Sequence, residues 1–459
     1  MIHVVQAFDR TPIAEIPTDD AAALETKLTT AYALFQTRSA WLQPHDRIAV
    51  LHRLADLVAA ERESFATLIA REGGKPYIDA LVETDRAIDG IRNAADLLRT
   101  RGGTEIPMGL TRASENRRAW TIKEPIGVVA AISAFNHPLN LVVHQIAPAI
   151  ATGCPIIVKP AMATPLCCLR LVALVQQAGC PPDWVQTLIP ENRALSEALA
   201  TDPRIAFLSF IGSAAVGWRL RSLLAPGTRC ALEHGGVAPV IIDGGTDLDA
   251  IVTPLAKGGY YHAGQVCVSV QRIFVQTAMK QAFIDRFAAR VQELRVGDPV
   301  LADTEVGPLI TPDEADRVEA WISEAIQAGA QLIGGERLSQ TTLRPAIIVE
   351  PPSTAKVSAH EIFGPVTCVY GYDDIDDAIA AANALPVAFQ ASIFTRDLDI
   401  AFRTAERLDA SAVMVNDHTA FRTDWMPFAG RRTSGYGIGG IPYTAAEMTA
   451  EKMIVFKHG

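Results

Sequence analysis

The sequence has few of the features that mark nucleic-acid-binding or metal-binding proteins. Its net charge of -10 is spread over 459 residues without a long block of like charge, so no stripe of lysine and arginine is available to neutralise phosphates. No group of histidine, cysteine, aspartate or glutamate residues has metal-ligand spacing, and the 10 histidines are dispersed. We therefore expect neither a nucleic-acid partner nor a bound metal ion.

Paired cysteines and a secretory signal are also missing. The seven cysteines are odd in number and contain no C-x-x-C pair, which is typical of free thiols in a reducing compartment. The first residues, "MIHVVQAFDR", lack a basic segment followed by an apolar one. We therefore predict a cytoplasmic location.

One long stretch, between Glu124 and Lys159, contains no charged residue and is long enough to cross a membrane. Polar residues and three prolines interrupt it, however. A buried strand, helix and strand fit this pattern better than a membrane span, so we expect no membrane association.

The order of patterns along the chain predicts an α/β fold. Apolar residues up to Leu98 follow a helical period, and Gly73-Gly74 before Pro76 predicts a helix end. After Pro125, short apolar β-rich runs alternate with helical segments, which is typical of parallel sheets covered by helices on both faces. The helices are predicted near residues 139–151, 165–178, 248–262, 279–294, 313–328 and 375–384. We predict two doubly wound α/β units that join near residues 233–236.

Cys267 stands in the segment "YYHAGQVCVSVQRIFV". Most single cysteines are small buried hydrophobic residues. Here Gly264 would relax the preceding backbone, and Gln265 and Ser269 bring polar groups into a segment that otherwise has a buried pattern. A nucleophilic thiol also needs a base or a positive charge nearby, so the residues alone leave both interpretations open.

Two further polar residues follow predicted strands. Glu233 in "LEHGG" precedes a glycine turn and is either a general base with a raised pKa or a structural ion-pair partner. Asn136 in "SAFNHPLN" is either a donor to a developing oxyanion or a turn former.

Two other segments favour a phosphate-bearing ligand. Lys159 follows the strand "IIVK", where its charge must reach solvent or a ligand. In "FIGSAAVG", Gly212 and Ser213 lie between a strand and a helix, and backbone N–H groups at such a helix start can bind phosphate. The segment is not the G-x-G-x-x-G fingerprint and is a weak signal by itself.

Taken in order, "SAFNHPLN", "VKPAMATP", "FIGSAAVG", "LEHGG", "GQVCVSVQR" and "HEIFGPV" resemble the NAD(P)-dependent aldehyde dehydrogenase superfamily over nearly the whole chain. The likeness is greatest to the branch with lactaldehyde, glycolaldehyde and phosphonoacetaldehyde dehydrogenases. Each motif is weakly specific, and six in sequence are very specific. The resemblance implies a thioester mechanism with Cys267 as nucleophile, Asn136 in the oxyanion hole and Glu233 as the base that activates water.

The resemblance also implies a cofactor site. Lys159 matches the lysine on the adenosine ribose, Gly212 and Ser213 match the turn under the pyrophosphate, and Glu361 and Phe363 match residues that hold the nicotinamide ribose and ring. Relatives with strict NAD preference carry a glutamate shortly after "KP", where this chain has alanine, methionine and alanine at 161–163. The cofactor is therefore expected to be NAD or NADP, with NAD favoured.

A second departure concerns proton transfer. Many relatives have a lysine nine residues after the oxyanion asparagine, and this chain has Gln145 there. Because an amide does not ionise, the proton exit route is an open question.

The loop 416–428 is expected to line the substrate funnel of this fold. His418, Phe421, Arg422 and Trp425 make it polar and aromatic, which disfavours long-chain aldehydes. Arg422 either holds an anionic head group or forms a structural ion pair with Asp424 or another carboxylate. We expect a short polar aldehyde, with phosphonoacetaldehyde as the leading specific candidate. The alternatives are neutral lactaldehyde or glycolaldehyde, or another anionic aldehyde such as a sulfonate or semialdehyde.

The resemblance implies a cofactor domain of residues 1–103 and 123–233, a catalytic domain of 234–430 and an oligomerisation arm of 104–122 and 431–459. The hairpin near residues 103–122 is expected to pair with the C-terminal segment of a neighbouring subunit in a homodimer or homotetramer. Two rival functions are acyl transfer to coenzyme A and noncatalytic binding. Retention of Cys267, Glu233 and Asn136 disfavours both of them.

Overall fold

The computed structural model describes residues 1–459 and contains twenty strands and fifteen α-helices. The strands are β1 (Ile2–Val5), β2 (Pro12–Ile16), β3 (Glu105–Ile106), β4 (Arg117–Pro125), β5 (Val128–Ile132), β6 (Ile156–Lys159), β7 (Val185–Thr187), β8 (Ile205–Ile211), β9 (Arg229–Glu233), β10 (Pro239–Ile242), β11 (Arg272–Gln276), β12 (Gln331–Gly334), β13 (Ala346–Val349), β14 (Val366–Tyr372), β15 (Val387–Ala388), β16 (Gln390–Phe394), β17 (Ala412–Val415), β18 (Arg431–Arg432), β19 (Gly435–Tyr436) and β20 (Thr449–Lys457).

The helices share the surfaces of two sheets. They are α1 (Ala21–Gln36), α2 (Pro44–Ala60), α3 (Arg62–Gly73), α4 (Tyr77–Thr100), α5 (Asn140–Thr152), α6 (Leu166–Gln177), α7 (Arg193–Thr201), α8 (Ala214–Leu223), α9 (Leu248–Tyr260), α10 (Thr277–Gln292), α11 (Pro312–Gln327), α12 (Lys356–Ala359), α13 (Ile375–Asn383), α14 (Leu398–Arg407) and α15 (Ile441–Glu447). Short 3-10 turns occur at Arg38–Ala40, Arg112–Ser114, Pro182–Trp184 and Tyr261–Gly264.

The first sheet has six strands in the order β19-β9-β8-β5-β6-β7, and only β19 is antiparallel to its neighbour. All residues of its central strand β5, "VVAAI", are buried, as expected for a parallel strand that is covered on both faces. Helices α2, α4, α5 and α6 pack on one face, and α1, α7 and α8 pack on the other.

The second sheet has seven strands in the order β12-β13-β14-β11-β10-β16-β17, and all but β12 are parallel to their neighbours. Helices α9, α10 and α11 contribute to its larger core, and α13 packs on the opposite face. The predicted fold of two doubly wound α/β units is therefore confirmed.

The predicted helices are confirmed to within a few residues as α5, α6, α9, α10, α11 and α13. The uncharged stretch forms β5, α5 and β6, and no helix has the length and apolar character to cross a membrane. Gly74 ends α3 in the left-handed conformation, with φ of 73°. The sequence analysis did not predict the β1–β2 hairpin or the break between α2 and α3 at Glu61.

A third, three-stranded sheet has the order β20-β4-β3 and contains the predicted hairpin. Strand β4 pairs with β3 on one edge and, over nine residues, with β20 of the same chain on the other. The expected pairing with a neighbouring subunit's C-terminal segment is thus corrected, because the chain's own C-terminus occupies that edge. A role of this sheet in oligomerisation stays a prediction.

Only part of the predicted C-terminal arm lies in this sheet. Strand β18 pairs with β15, β19 joins the first sheet beside β9, and α15 packs against α4 and α5. The chain therefore enters the third sheet only at Thr449. This return of residues 435–448 to the first unit brings glycines of that segment next to the site described below.

Candidate active site

A cavity of about 1280 Å³ lies between the two units, where β5, β6, β8 and β9 end. Ligands of α/β proteins bind at such carboxyl ends of strands. Nine of the twelve residues predicted for the site line it: Asn136, Lys159, Gly212, Ser213, Glu233, Cys267, Glu361, Phe363 and Arg422. The fold thus collects into one cavity residues that the sequence separates by almost 290 positions (422 minus 136 is 286).

The backbone before Cys267 is held in an unusual conformation. His262, Ala263 and Gly264 have positive φ values of 51°, 53° and 68°, which side-chain-bearing residues rarely adopt. A β-carbon at Gly264 would overlap the carbonyl oxygen of Gly364. Glycine is therefore required at position 264 for contact with the "EIFGPV" segment, and not only for local flexibility.

Gln265 fixes the cysteine loop through its side chain. Its amide nitrogen donates to the carbonyl oxygens of His262 and Pro308, both at 3.1 Å, and its amide oxygen accepts from the N–H of Ile310 at 2.9 Å. The backbone oxygen of Gln265 in turn accepts from Nδ2 of Asn136 at 2.9 Å. The predicted oxyanion donor is therefore tied to the nucleophile's loop, and the second amide proton of Asn136 remains available to a ligand.

The Cys267 thiol is the most accessible of the seven, since the other six are buried. Burial raises the pKa of Cys267 to about 12, the guanidinium of Arg422 lowers it, and the carboxylates of Glu361 and Glu233 raise it. The thiol is therefore protonated at neutral pH. The structure places a cation next to it, as a reactive cysteine requires.

Glu233 ends β9 at the same cavity. Burial raises the pKa of its carboxyl, and Arg422 opposes this effect. A raised pKa suits a general base that works near neutral pH. A β-carbon at Gly439, in the returning C-terminal segment, would overlap the Glu233 carboxylate, so that glycine makes room for the base.

Glu361 and Phe363 line the cavity from the second unit. Burial raises the pKa of Glu361 to about 8, and Oε1 of Glu361 is buried without a hydrogen-bond partner. Its carboxylate lies so close to Gly235 that a β-carbon there would overlap it. Phe363 has a φ of 50° and packs edge to face on Phe135 at 5.9 Å. An unpartnered buried carboxylate oxygen fits a ligand hydroxyl, as on a ribose.

The turn between β8 and α8 is built around His234. The N–H of Gly212 donates to the carbonyl of Glu233 at 3.0 Å, and the Gly212 carbonyl accepts from Nδ1 of His234 at 2.9 Å. A β-carbon at Gly217 would overlap the His234 ring. Ser213 directly precedes α8, and its side chain does not cap that helix. The N–H groups of the first helical turn are thus without a side-chain acceptor, as a phosphate-binding helix start requires.

Lys159 is the last residue of β6 and lines one end of the cavity. No carboxylate pairs with it. Burial lowers the pKa of Lys159, and the charge of Arg193 lowers it further, so the two cations lie near each other. Glu197, which also lines this end, pairs with Arg219 at 2.7 Å. Two cations are therefore free to bind an anionic group here. The sequence analysis missed Arg193, which begins α7.

Arg422 lies in the cavity and does not pair with Asp424. Its guanidinium carbon lies 3.5 Å from the centre of the Phe428 ring, and its Nε is buried without a partner. Asp424 instead pairs with Arg86 at 2.7 Å. The sequence left open a structural ion pair with Asp424 or another carboxylate, and the pair with Asp424 is wrong. The charge of Glu233 acts on Arg422, but the two side chains form no salt bridge.

The other three predicted substrate residues do not line the cavity. His418 packs against Gly258, and its Nδ1 accepts from the N–H of Ala420 at 3.1 Å. Phe421 and Trp425 are 46% and 52% exposed at the surface. Their predicted position in the cavity lining is therefore corrected. Thr419, in the same loop, donates to the carbonyl of Val268 at 2.7 Å.

Gln145 is buried and lies outside the cavity lining. Its amide nitrogen donates to the carbonyl and hydroxyl oxygens of Ser209 at 3.3 and 3.1 Å. The side chain therefore ties α5 to β8 and provides no proton carrier.

Further polar residues that the sequence analysis missed line the cavity or contact Arg422: Arg86, Asn140, His144, Arg193 and Tyr261. Two of them had a visible signal, since Asn140 and His144 are polar residues on a helix that is otherwise apolar and buried. Such residues need a partner. That partner, Asp424, is nearly 300 positions away in the chain (424 minus 140 is 284).

The chain is similar to known proteins over nearly its whole length. A model described as the aldehyde dehydrogenase family matches residues 1–454. The chain is 36% identical over 456 residues to 3-sulfolactaldehyde dehydrogenase of Priestia aryabhattai, covering 99% of this chain and 94% of the relative. It is 34% identical over 420 residues to lactaldehyde dehydrogenase of Methanococcus vannielii, covering 90% and 88%. Among solved structures, glyceraldehyde-3-phosphate dehydrogenase of Methanocaldococcus jannaschii complexed with NADP matches with a TM-score of 0.95 and 31% identity, covering 100% and 99% of the two chains.

Proposed function

Since the chain belongs to the aldehyde dehydrogenase family, we propose that it oxidises a short aldehyde with an anionic head group to the carboxylic acid. It is an NAD(P)-dependent aldehyde dehydrogenase. The observation that carries the choice of substrate is the guanidinium of Arg422, which lies in the cavity near Cys267 and Glu233 and forms no salt bridge with a carboxylate.

Each catalytic role follows from a group in the cavity. Cys267 loses its thiol proton to solvent and its sulfur adds to the aldehyde carbon, while Asn136 and the N–H of Cys267 stabilise the alkoxide. Loss of a hydride from this thiohemiacetal leaves a thioester on Cys267. Glu233 then takes a proton from water, the hydroxide adds to the thioester, and the acid leaves as the thiol is restored. Arg422 supports the first step because it favours the thiolate.

The cavity fits a nicotinamide dinucleotide. When bound, the cofactor supplies the hydride acceptor. Glu361 with its unpartnered Oε1 would hold the nicotinamide ribose, and Phe363 would pack against the ring. Gly212 and Ser213 would hold the pyrophosphate at the start of α8, and Lys159 would hold the adenosine ribose.

The adenosine end favours acceptance of NADP. Lys159 and Arg193 lie near each other without a carboxylate partner, and the one acidic residue at this end, Glu197, is paired with Arg219. A 2′-phosphate would meet two cations here and no free carboxylate. We therefore propose NADP as a cofactor at least as good as NAD, which revises the preference for NAD drawn from the sequence.

The anionic head group narrows the candidates from the sequence analysis. Phosphonoacetaldehyde remains a candidate, and a sulfonated aldehyde is supported by the 36% identical relative named for 3-sulfolactaldehyde. A carboxylated semialdehyde offers Arg422 the same charge. Neutral lactaldehyde is the alternative, because three relatives are named for that substrate. A cytoplasmic location and a homodimer or homotetramer stay predictions.

A panel of short aldehydes tests the substrate class. Phosphonoacetaldehyde, 3-sulfolactaldehyde, succinate semialdehyde, lactaldehyde and glycolaldehyde would each be assayed with NAD and with NADP. We expect kcat/KM for the best anionic aldehyde to exceed that for the neutral ones by about 100-fold, the range for a charge-assisted contact. Equal values for neutral and anionic aldehydes would contradict the proposal.

The Glu233→Gln variant tests the hydrolytic step. Removing a general base is expected to lower steady-state turnover about 100-fold or more. A rapid burst of one reduced cofactor per site should persist, because formation of the thioester does not need the base. Undiminished turnover in water, or full rescue by coenzyme A, would instead favour the acyl-transferring alternative.

A further inference from the structure

Arg422 is held in place by the imidazole of His144. Nη2 of Arg422 lies 3.4 Å from Nδ1 of His144, and the guanidinium also stacks on the Phe428 ring. His144 lies on α5, is 3% exposed and does not line the cavity itself. Its contact with substrate can therefore only be indirect, through Arg422.

The protonation of His144 determines the direction of this contact. Nε2 of His144 lies 2.7 Å from Oδ1 of Asp424, which can only accept, so Nε2 carries the proton. Burial and the charge of Arg422 together lower the pKa of His144 to about 4, although Asp424 opposes them. The ring is thus neutral at physiological pH, and its Nδ1 lone pair accepts from Arg422.

Asp424 is in turn fixed by groups other than Arg422. Its Oδ1 accepts from Nη2 of Arg86 at 2.7 Å and from Nδ2 of Asn140 at 3.0 Å, and its Oδ2 accepts from Nε of Arg86 at 3.1 Å. Arg86 therefore both neutralises the carboxylate and holds it in a position to orient His144. Without Arg86, an uncompensated negative charge would lie close to the arginine that meets the substrate.

We propose that His144, oriented by the Arg86–Asp424 ion pair, is a positioning residue that holds Arg422 ready for the anionic head group of the substrate. This inference rests on the proposed function, because it assumes that Arg422 binds an anion. The four side chains form a chain of contacts in which each hydrogen-bond donor meets an acceptor, in the order Arg86, Asp424, His144 and Arg422. Each group therefore fixes the next. The free Nε of Arg422 then keeps its direction before substrate arrives.

Three substitutions of His144 separate positioning from packing. In His144→Asn the amide oxygen takes the place of Nδ1 and can accept from Arg422. His144→Gln places its amide near Asp424 and offers no acceptor at the Nδ1 position. His144→Leu keeps a similar volume without either contact. Thermal melting of each purified variant reports folding separately from kinetics.

The readout is KM and kcat for one anionic and one neutral aldehyde of similar length, together with inhibition by ethanesulfonate, which carries the head group without the aldehyde. We expect the Leu and Gln variants to raise KM for the anionic aldehyde, and Ki for ethanesulfonate, about tenfold. The neutral aldehyde should change less than twofold, and the Asn variant should recover most of the loss. Equal losses for both aldehydes, or no loss in the Leu variant, would overturn the inference.

Arg86→Met provides a test that does not alter the buried helix α5. Arg86 is 24% exposed through its side chain, and thermal melting of this variant reports its folding separately from its kinetics. We expect a selective rise of several fold in KM for the anionic aldehyde, because Asp424 then opposes Arg422. An unchanged KM would overturn the role given to the ion pair. If the wild-type protein shows no preference for anionic aldehydes, the proposed function fails first, and that result is distinct from any result on these variants.

Discussion

The two ends of the cavity have the same arrangement of charges. Each has an acid that is paired with one arginine, and a second cation that forms no salt bridge. At the catalytic end, Asp424 pairs with Arg86, and Arg422 is left without a carboxylate. At the adenosine end, Glu197 pairs with Arg219, and Arg193 is left beside Lys159. In both places one arginine neutralises the local acid, so that another cation is free for a ligand.

The two ends differ in how far they are removed from water. Arg422 is enclosed between His144 and Phe428, and burial lowers its pKa. Arg193 begins α7 and is exposed. Since charges act more strongly in a low-dielectric environment, a ligand anion should gain more from Arg422 than from Arg193. The number of cations in a site therefore says little about its affinity for an anion until their pairing and burial are known.

The largest effect is expected from Arg422→Leu. Truncating one partner of a buried charge pair typically costs several kcal/mol, so kcat/KM for an anionic aldehyde should fall about 100-fold or more. A neutral aldehyde should lose less, about tenfold, because the pKa of Cys267 rises further without the guanidinium and the thiolate becomes rarer. Steady-state kinetics with both aldehydes measure the two losses.

Equal losses for the two aldehydes would mean that Arg422 acts on the thiol alone. No loss for either aldehyde would show that Arg422 neither binds the substrate nor promotes ionisation of Cys267. The likeness between the two cavity ends would then not hold. Arg86→Met in the same assay shows whether the paired arginine contributes less than the free one.

A second prediction concerns the burial of the catalytic end itself. Because burial raises the pKa of Cys267 to about 12, the thiolate fraction in the free protein grows with pH across the whole accessible range. Alkylation by iodoacetamide should therefore accelerate about tenfold per pH unit from neutral pH to about pH 10, without a plateau. Mass spectrometry should find Cys267 modified, because the other six cysteines are buried.

Cys267→Ser is the control for this experiment and should resist alkylation. If the alkylation rate instead levels off near pH 8, the charge of Arg422 lowers the pKa of Cys267 by more than burial raises it.

The fold was largely predictable because its signals are local. The apolar runs of β5 and β6 and the helix between them follow from the pattern of one uncharged stretch. Cys267, Glu233 and Asn136 were identified because each lies in a short motif that retains its order in the chain. The β1–β2 hairpin was missed because its short strands carry no strong alternation.

The partners within the site were not predictable, because they depend on contacts between distant segments. The sequence places Arg422 two residues from Asp424, and proximity suggested an ion pair. The structure shows that Asp424 is used by Arg86, 338 positions away. Phe421 and Trp425 are exposed and lie outside the cavity lining, and a hydrogen bond from Thr419 to Val268 connects their loop with the cysteine segment.

The smallest effect is expected at the adenosine end, from Arg193→Ala. An exposed cation contributes little, about 1 kcal/mol, so the Kd for NADP should rise about fivefold while the Kd for NAD changes less than twofold. Isothermal titration calorimetry with each nucleotide measures this without turnover. The selectivity arises because only NADP carries the 2′-phosphate near Lys159.

Arg221→Ala is a matched control for the lost charge. Arg221 lies on α8 two residues from Arg219, but its side chain packs over Trp218 and Tyr436, outside the cavity. If this variant weakens NADP as much as Arg193→Ala does, the effect reflects net charge and not a contact. Equal weakening of NAD and NADP by Arg193→Ala would place Arg193 against the adenine or the shared phosphates. In that case Arg193 would not distinguish the 2′-phosphate of NADP. The two cavity ends would then resemble each other only in that each has an acid paired with an arginine.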